Sequence, residues 1–278
     1  MGEAKWRKAE IEELKRGSPE QEAQWRRLQN DKRRIASGID PESSDPEPVV
    51  SMARALSALF NEAKRTGNID PPVTLLHTTV NATLLRLSDI PVACKKGCSH
   101  CCHTWVSVSA PEALYIAKIV EQRGNAAVEK VRSAHQDTKD LDFDTRDEHP
   151  HPCPLLEEEL CSIYDARPKA CRLAASADAE ICARTYHNIT NEDVPTPAMY
   201  LSARSIYDIA MAAGLRHESL PYHAYEFNAA LTRALDTDNA EQRWLAGEDI
   251  FAGINPDPAD VFAHPQAQRL YEYAFSRP

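Results

Sequence analysis

The chain has 278 residues and a net charge of -10, with 42% hydrophobic and 27% charged residues, a composition typical of a folded protein. The acidic balance argues against binding to nucleic acid, and no apolar run approaches the roughly 20 residues that a membrane-spanning helix needs. Only nine glycines are present, and there is neither a G-x-G-x-x-G nor a G-x-x-x-x-G-K-[ST] motif, so no nucleotide-binding loop is expected.

Residues 1–47 are predicted to form a charged helical arm and a linker. Residues 1–34 hold ten Lys or Arg against seven Asp or Glu, with few apolar side chains among them. The stretch IDPESSDPEPVV that follows is rich in Pro, Ser and acidic residues, as linkers are. Because the start of the chain lacks the apolar core of a secretory signal, we expect a cytoplasmic protein whose cysteines stay reduced.

Two core helices are predicted after the linker. Apolar residues recur at helical spacing from Val49, and Gly67 is the expected stop of the first helix. The pair Pro71 and Pro72 is expected to open the second helix, whose apolar pattern continues to Leu87. Both helices should bury one face in the core.

Two further helices are predicted beyond the first cysteine-rich stretch. Ser109 and Glu112 match an S-x-x-E capping box at the start of a helix that should end near Gln122. A partner helix is expected over residues 126–136. The acidic stretch at 137–152 lacks the spacing of a calcium-binding loop, so it is predicted to be a solvated loop.

The last part of the chain has long helical patterns without cysteine. One helix is predicted over residues 197–213, ending at Gly214, and another over residues 221–235. Asp238 and Glu241 suggest a second capping box.

The predicted fold class is mainly α, with irregular cysteine loops and few or no strands. The only strand candidates are short and lie at 105–109 and 161–164. Besides the arm, we expect a cysteine-cluster metal-binding domain at 48–190 and a C-terminal helical region at 191–278 packed on it.

Eight cysteines carry the functional signal. Thiolates are soft ligands that select zinc, copper(I) and iron–sulfur clusters, and their density argues against a role as small apolar core residues. In a reducing compartment so many cysteines indicate metal or redox use. The expected ligands are Cys94, Cys98, Cys101 and Cys102 in a first group and Cys153, Cys161 and Cys171 in a second, with the role of Cys182 left open.

The spacing of the first group fits either a helix or a loop. On a helix its four cysteines would share one face, whereas Gly97 and Pro91 suit a loop on which thiolates converge. Adjacent Cys101 and Cys102 are awkward ligands for one tetrahedral ion, so one of them can face a second metal, another cluster corner or the core. We expect both groups to form one metal-bearing site, because the helices between them can return the chain to its starting end.

Cationic side chains near the cysteines are expected to stabilise an anionic centre. Arg172 is predicted to act on the site electrostatically and not as a folding residue. His100 and His103 are interpreted as surface or outer-sphere imidazoles rather than ligands. The predicted cofactor-binding cations are Lys95 and Lys96 in the first group and Arg172 in the second, with Arg167 and Lys169 nearby.

These motifs resemble a known family. The stretch CKKGCSHCC followed by CPLLEEELCSIYDARPKACR is similar to the zinc- or iron-chelating CxxCxxCC domain, to which flagellin lysine N-methylases also belong. The family order C-P-x-L, C-x-I-Y, R-P and C-R occurs here between Cys153 and Arg172. The first group has one more residue between its first two cysteines than the family name implies. The resemblance runs from Cys94 to Cys182 and implies a metal or iron–sulfur site.

The expected function is that of a metal-binding cysteine-cluster protein. Seven or eight thiols exceed the four that one structural zinc needs, which favours an iron–sulfur cluster, of the 4Fe-4S type, or iron used in redox or protein-modification chemistry. Whether the protein is an enzyme is left open, and its partner is expected to be an unidentified protein or small molecule. A zinc-binding structural or interaction module and an iron-sensing or delivery protein are the alternatives.

The spacing C-x3-C-x2-C is also that of radical S-adenosylmethionine enzymes. Those enzymes usually have an aromatic residue before the third cysteine, where this chain has His100, and they need alternating strands and helices to build a barrel. The sequence lacks the second feature, so an ordinary radical enzyme is disfavoured.

Overall fold

A computed structural model describes residues 46–186, 192–254 and 260–276, so the predicted arm lies almost entirely outside the described residues. The fold is mainly α, as predicted. Its strands are β1 Ser107–Ser109, β2 Leu156–Glu157, β3 Leu160–Cys161 and β4 Ala224–Glu226. Its helices are α1 Glu47–Thr66, α2 Asp70–Arg86, α3 Ala110–Gln122, α4 Asn125–Thr138, α5 Phe143–Glu148, α6 Lys169–Arg172, α7 Ala179–Tyr186, α8 Ala198–His217, α9 Phe227–Asp236, α10 Ala240–Leu245 and α11 Pro265–Phe275.

The first helix ends where the sequence predicts. Gly67 adopts a left-handed φ of 72°, and its N–H donates to the carbonyl of Ala63 at 2.8 Å, which closes α1. The apolar stripe of α1 buries Val50, Leu56 and Phe60 completely. The helix therefore forms one wall of the core.

Gly214 does not end a helix, contrary to the prediction, because α8 continues to His217. The glycine lies where α8 packs against α1. A Cβ at this position would meet the Cβ of Leu56 and the backbone nitrogen of Ser57 at 3.1 Å, and the carbonyl oxygen of Ala53 at 3.2 Å. The close approach of the two backbones, and not helix termination, requires glycine here.

Short strands connect distant parts of the chain. β1 pairs antiparallel with β4, with Ser107 opposite Glu226 and Ser109 opposite Ala224. The first strand candidate is thus confirmed in its last three residues. Of the second candidate only Cys161 lies in a strand. The helix predicted from residue 221 begins later than expected, since β4 precedes α9.

The two predicted capping boxes are wrong in the same way. Ser109 precedes α3, but its hydroxyl donates to Glu112 Oε2 at 2.7 Å and does not cap the backbone. At α10 the N-cap is Asn239, and Glu241 accepts from the backbone N–H of Ile69 at 2.7 Å. Both glutamates bind partners far away in the chain, which a local pattern does not reveal.

The acidic stretch predicted as a loop contains the short helix α5. Its cap is formed by Asp142, whose carboxylate accepts from the backbone N–H of Thr145 at 2.9 Å. In return the Thr145 hydroxyl accepts from the backbone N–H of Asp142 at 2.9 Å. Threonine replaces the usual Glu or Gln in this box, so the sequence pattern does not identify it.

One hydrophobic core joins both predicted regions of the chain. It includes Leu56 and Ile116 from the first region and Leu231 and Leu270 from the second, so the C-terminal helices pack on the cysteine-bearing part. The boundary near residue 190 stays a prediction. Among the described residues, no helix is both long enough and apolar enough to cross a membrane.

We expect Gly214→Val to lower the free energy of unfolding by about 1–3 kcal/mol, because the new side chain would push α8 away from α1. Urea unfolding followed by circular dichroism measures this change. Ser205→Val, at an exposed position of the same helix, is the control for the helix propensity of valine. Equal losses in the two variants would contradict the close-packing interpretation.

Candidate metal centre

The first cysteine group lies on a loop and a single 3₁₀ turn, so the loop alternative is correct. Gly97, at a left-handed φ of 87°, lets the chain reverse so that the N–H of Cys98 donates to the carbonyl of Lys95 at 3.0 Å. The 3₁₀ turn His100–His103 follows. This geometry leaves Cys94 and Cys101 at the surface and Cys98 and Cys102 partly buried.

The second group begins beside a tight hairpin. β2 and β3 pair Leu156 with Cys161, and the turn between them holds Glu158 and Glu159 at left-handed φ values of 49° and 62°. Two-residue hairpin turns of this kind normally use Asn or Gly, because other residues are strained there. The hairpin presents Cys161 towards the cysteine loops and holds Glu159 against the first group.

Hydrogen bonds fasten the two groups to each other. The N–H of Cys153 donates to the carbonyl of Cys102 at 2.7 Å, and the Ser99 hydroxyl donates to the carboxylate of Glu159. On the other side of the first group, the N–H of Ser176 donates to the sulfur of Cys94 at 3.3 Å. The chain segments that carry the cysteines are therefore held side by side by the protein itself.

Cys101 lies where the two groups meet. A hydrogen bond with Cys102, followed by burial, raises the pKa of the Cys101 thiol. Burial and then repulsion from Cys101 and Cys98 raise the pKa of Cys94. Burial, with repulsion from Cys153 and Cys101, raises the pKa of Cys171 well above its ordinary value. Cys101 is thus close to thiols of both groups, which together we call the cysteine patch; that they hold metal together stays a prediction.

The remaining thiols share this environment. Burial raises the pKa of Cys153 to about 12, with a smaller contribution from Cys161. Burial, weakly opposed by the backbone N–H of Ile163, raises the pKa of Cys161. Burial, with repulsion from Cys94 among other thiols, raises the pKa of Cys182 to about 11. Thiols of this kind lose their protons when a cation compensates the negative charge, so metal binding would release protons.

The donor set fits a soft metal, although the sulfurs are not arranged as a finished coordination sphere. All eight cysteines are free thiols, and their sulfur ligands suit zinc or iron. In the part of the chain that the structure describes, no three His, Cys, Asp or Glu side chains already surround one point that an ion could fill. Binding would therefore have to draw neighbouring thiols inward.

Arg167 lies within electrostatic range of several of the thiols. It lowers the pKa of Cys94, Cys101 and Cys171 against the larger effects that raise them. Its Cζ lies 3.9 Å from the centre of the Tyr164 ring, and its buried Nε has no hydrogen-bond partner among the described residues. The stacked guanidinium is therefore held next to the sulfurs.

Of the three predicted cofactor-binding cations, Lys95 and Lys96 reach into solvent and Arg172 lies inside the protein. Lys95 and Lys96 are exposed. Neither forms an ion pair or hydrogen bond through its side chain with any described residue, so their role stays a prediction. Arg172 is only 5% exposed, and its guanidinium points into the protein.

Arg172 ties the second group to α2. Its Nε donates to the carbonyl of Arg167 at 2.8 Å, and its Nη1 donates to Asn81 Oδ1 at 2.9 Å. Its Nη2 donates to the carbonyl of Asp165 and lies 3.3 Å from His77 Nδ1. The expectation that Arg172 is not a folding residue is therefore corrected, because these buried bonds hold the segment before Cys171 in place.

Glu112 anchors the same segment from α3. Its carboxylate is 1% exposed and accepts from the backbone N–H of Lys169 at 2.6 Å and from the Ser109 hydroxyl at 2.7 Å. Burial alone would raise the pKa of Glu112, but His77 and the charge of Lys169 outweigh it and lower the pKa to about 2. The carboxylate therefore stays charged inside the protein.

The imidazole of His77 links the two anchors. Its Nδ1 faces a guanidinium nitrogen of Arg172, which can only donate, so the proton of the neutral ring belongs on Nε2. Nε2 lies 3.5 Å from Glu112 Oε1. His77 thus lies between Arg172, which contacts its Nδ1, and Glu112, although Nε2 forms no hydrogen bond with any described residue.

His103 is also buried, as an outer-sphere imidazole would be. Its Nδ1 lies 3.1 Å from the carbonyl oxygen of Ser99. Its own carbonyl accepts from Arg146 Nη1 at 3.0 Å and from the N–H of His151 at 3.0 Å. These contacts stabilise the 3₁₀ turn that carries Cys101 and Cys102.

Residues 93–194, somewhat more than a third of the chain, match a family model described as "CxxCxxCC: Putative zinc- or iron-chelating domain". The match confirms the resemblance that the cysteine motifs carry, and it supports zinc or iron binding by this segment. No curated protein and no solved structure matches the chain significantly.

Sequence reasoning gave too little weight to Arg167 and Cys182. Arg167 was one of three cations near Cys171, and only the structure separates it from Arg172. Cys182 lies eleven residues beyond Cys171 without a distinctive spacing. Its inclusion in the matched segment is the one sequence signal that connects it with the other seven cysteines.

We expect Arg172→Ala to lower the free energy of unfolding by about 2–4 kcal/mol, because it leaves Asn81, His77 and two carbonyls without their buried donor. Urea unfolding of the metal-free protein measures the loss. Lys96→Ala, an exposed cation near the cysteines, is the control and should change stability little. Unchanged stability in Arg172→Ala, with weakened metal retention, would restore a purely electrostatic role.

The pKa of Glu112 lies below its ordinary value of 4.5, so its stabilising effect is present at neutral pH and is lost as the pH falls from 4.5 towards 2. Glu112→Gln should lower stability at pH 7 and flatten the acid side of the stability profile. Thermal unfolding of metal-free protein at several pH values tests this. The exposed Glu121→Gln is the control, and an identical acid slope in both variants would contradict the prediction.

Proposed function

We propose that the cysteine patch holds an iron–sulfur or iron centre that serves redox or protein-modification chemistry. The family match supports the coarser statement that the segment binds zinc or iron. The observation that carries the finer proposal is that the cysteine loops are already fixed by the protein's own buried hydrogen bonds. A metal at this place is then not needed as a structural staple.

The buried hydrogen bonds of Arg172 and Glu112 hold the second group without a metal ion. Structural zinc sites stabilise loops that cannot hold a fold alone. Here Arg172 and Glu112 attach the second group to two core helices. The N–H of Cys153 attaches the second group to the first by donating to the carbonyl of Cys102. The large apolar core supports the same loops, because Cys153 and Cys161 pack against it.

The electrostatics favour an anionic centre. Thiolate-bound clusters carry negative charge, and nearby cations set their reduction potentials. Arg167 faces thiols of both groups and is held in place by Tyr164. Among the described residues its guanidinium has no carboxylate partner, so its charge is available to the sulfurs.

The patch also has an accessible edge. Cys94 and Cys101 reach the surface, and Tyr164 beside Arg167 is 43% exposed. An iron–sulfur cluster supplies one-electron transfer and, where an iron is open, a binding position for a substrate group. Through this edge a protein or small-molecule partner could approach the sulfurs within a short distance.

We expect protein purified without oxygen, after expression with ample iron, to be brown and to contain iron and acid-labile sulfide. Metal analysis and an absorption spectrum measure this, and exposure to air should bleach the colour. Arg167→Ala should shift the reduction potential of the centre, whereas Lys139→Ala, at an exposed lysine outside both cysteine groups, should leave it nearly unchanged. Stoichiometric zinc without iron or sulfide would make the zinc-binding module the correct function.

A further inference from the structure

A small cavity lies between α4 and α9, and no cysteine is among the described residues that line it. Its volume of about 240 Å³ is enough for a small organic molecule, since one water molecule in the liquid occupies roughly 30 Å³. The two helices supply most of the walls, and the chain that follows α10 supplies one more side chain. The lining includes His135, Ala229, Thr232, Arg233, Asp236 and Ile254.

Two polar contacts between α4 and α9 fix the walls of the cavity. At one end Arg132 Nε and Nη2 donate to Asp236 Oδ1 at 2.9 and 2.7 Å. At the other end Asn228 Nδ2 donates to Thr138 Oγ1 at 3.2 Å, and both of these residues are 3% exposed. The two contacts show that the helices run antiparallel. Because the cavity lies between the contacts, it is already formed in the folded protein.

Two buried polar atoms in the residues that line the cavity lack a hydrogen-bond partner. His135 Nδ1 and Thr232 Oγ1 are both enclosed, and neither bonds to any described residue. Buried polar atoms are nearly always paired, so each exception needs an explanation. A polar ligand in the cavity can pair with these atoms after a change of side-chain rotamer.

Arg233 gives the cavity a cationic wall. Its Nη1 donates to the carbonyls of Ile250 and Ala252 at 2.7 and 3.0 Å, which holds the guanidinium in place. Its Nε and Nη2, which form one edge of the guanidinium, donate to no described residue. Two parallel donors of this kind match the two oxygens of a carboxylate.

The charges around the cavity favour a ligand with a single negative charge. Burial and the charge of Lys139 lower the pKa of His135, and Arg233 adds to this effect against the opposing charge of Asp236. The imidazole is therefore neutral near pH 7, and one of its tautomers donates through Nδ1. Asp236 is the one carboxylate among the described residues that line the cavity, and it would repel a dianion more strongly than a monoanion.

We propose that the cavity between α4 and α9 binds a small monocarboxylate. The carboxylate accepts from the free edge of Arg233 and from the Thr232 hydroxyl, with His135 Nδ1 as a third donor. The short apolar part of the ligand lies against Ala229 and Ile254. The proposal does not depend on metal binding at the cysteine patch, because none of its thiols lines this cavity.

Titration of the nitrogen-15-labelled full chain with acetate, butyrate and inorganic phosphate tests the proposal by NMR, at constant ionic strength. Both carboxylates should cause saturable shifts of amide signals in α4 and α9. Butyrate should bind several-fold more tightly than acetate, because its longer chain contacts the apolar part of the wall. Phosphate should bind more weakly than butyrate, because it carries more negative charge at neutral pH.

Thr232→Val removes the hydroxyl and should weaken butyrate binding about tenfold. The same variant replaces an unpaired buried hydroxyl with a methyl group, so the free energy of unfolding of the ligand-free protein should not fall. Ala229→Leu fills the cavity and should abolish binding. Ser133→Ala, at an exposed position of α4, is the control and should bind butyrate as the wild-type protein does.

Three results would overturn the proposal. Without saturable shifts for any of the three anions, the cavity holds ordered water only. Tighter binding of phosphate than of butyrate would exclude a monocarboxylate as the preferred ligand. Unchanged butyrate affinity in both Thr232→Val and Ala229→Leu would place the ligand elsewhere on the protein. If circular dichroism shows that Ala229→Leu is unfolded, His135→Phe replaces it, and retained affinity there has the same meaning.

Discussion

The bond between a buried carboxylate and a backbone N–H determines where the second cysteine group lies. Glu112 is completely enclosed, yet it stays charged because the backbone N–H of Lys169 and the Ser109 hydroxyl donate to it and the His77 ring lies 3.5 Å away. A carboxylate buried without such donors would cost several kcal/mol and would be protonated. By accepting from the first turn of α6, Glu112 fixes the orientation of the helix that carries Cys171, and Arg172 attaches the same helix to α2.

This arrangement separates the stability of the loops from the chemistry of the sulfurs. Thiols that crowd together in a partly buried place resist deprotonation, as the raised pKa values of Cys153, Cys171 and Cys182 indicate. Because these thiols are then uncharged, they do not repel one another in the metal-free protein, and polar bonds and apolar contacts outside the patch hold the loops. Negative charge would arise at the sulfurs only when a metal ion displaces their protons, and Arg167 would offset part of it.

Patterns within one helix could be predicted from the sequence, and contacts between segments could not. The stop at Gly67 follows from local backbone chemistry, and it is confirmed. Gly214 is also a glycine, but it is required for a different reason, because the backbone of α1 lies close to it. Glu112 likewise resembles a cap in the sequence, but its partner Lys169 is far along the chain. At the site, the spacing indicates the thiols, whereas the packing of the helix that carries Cys182 against the 3₁₀ turn His100–His103 and the separate roles of Arg167 and Arg172 depend on tertiary structure.

The antiparallel pairing of β1 with β4 joins the matched segment to the rest of the chain. The matched stretch at 93–194 contains β1 but not β4, and it lacks α2 with the Asn81 and His77 partners of Arg172. Cut out on its own, it would present an unpaired strand edge and a guanidinium that has lost its Asn81 and His77 partners, both of which promote aggregation or misfolding. In this protein the cysteine-bearing segment therefore depends on α2 and β4 for its packing and would not fold in the same way by itself.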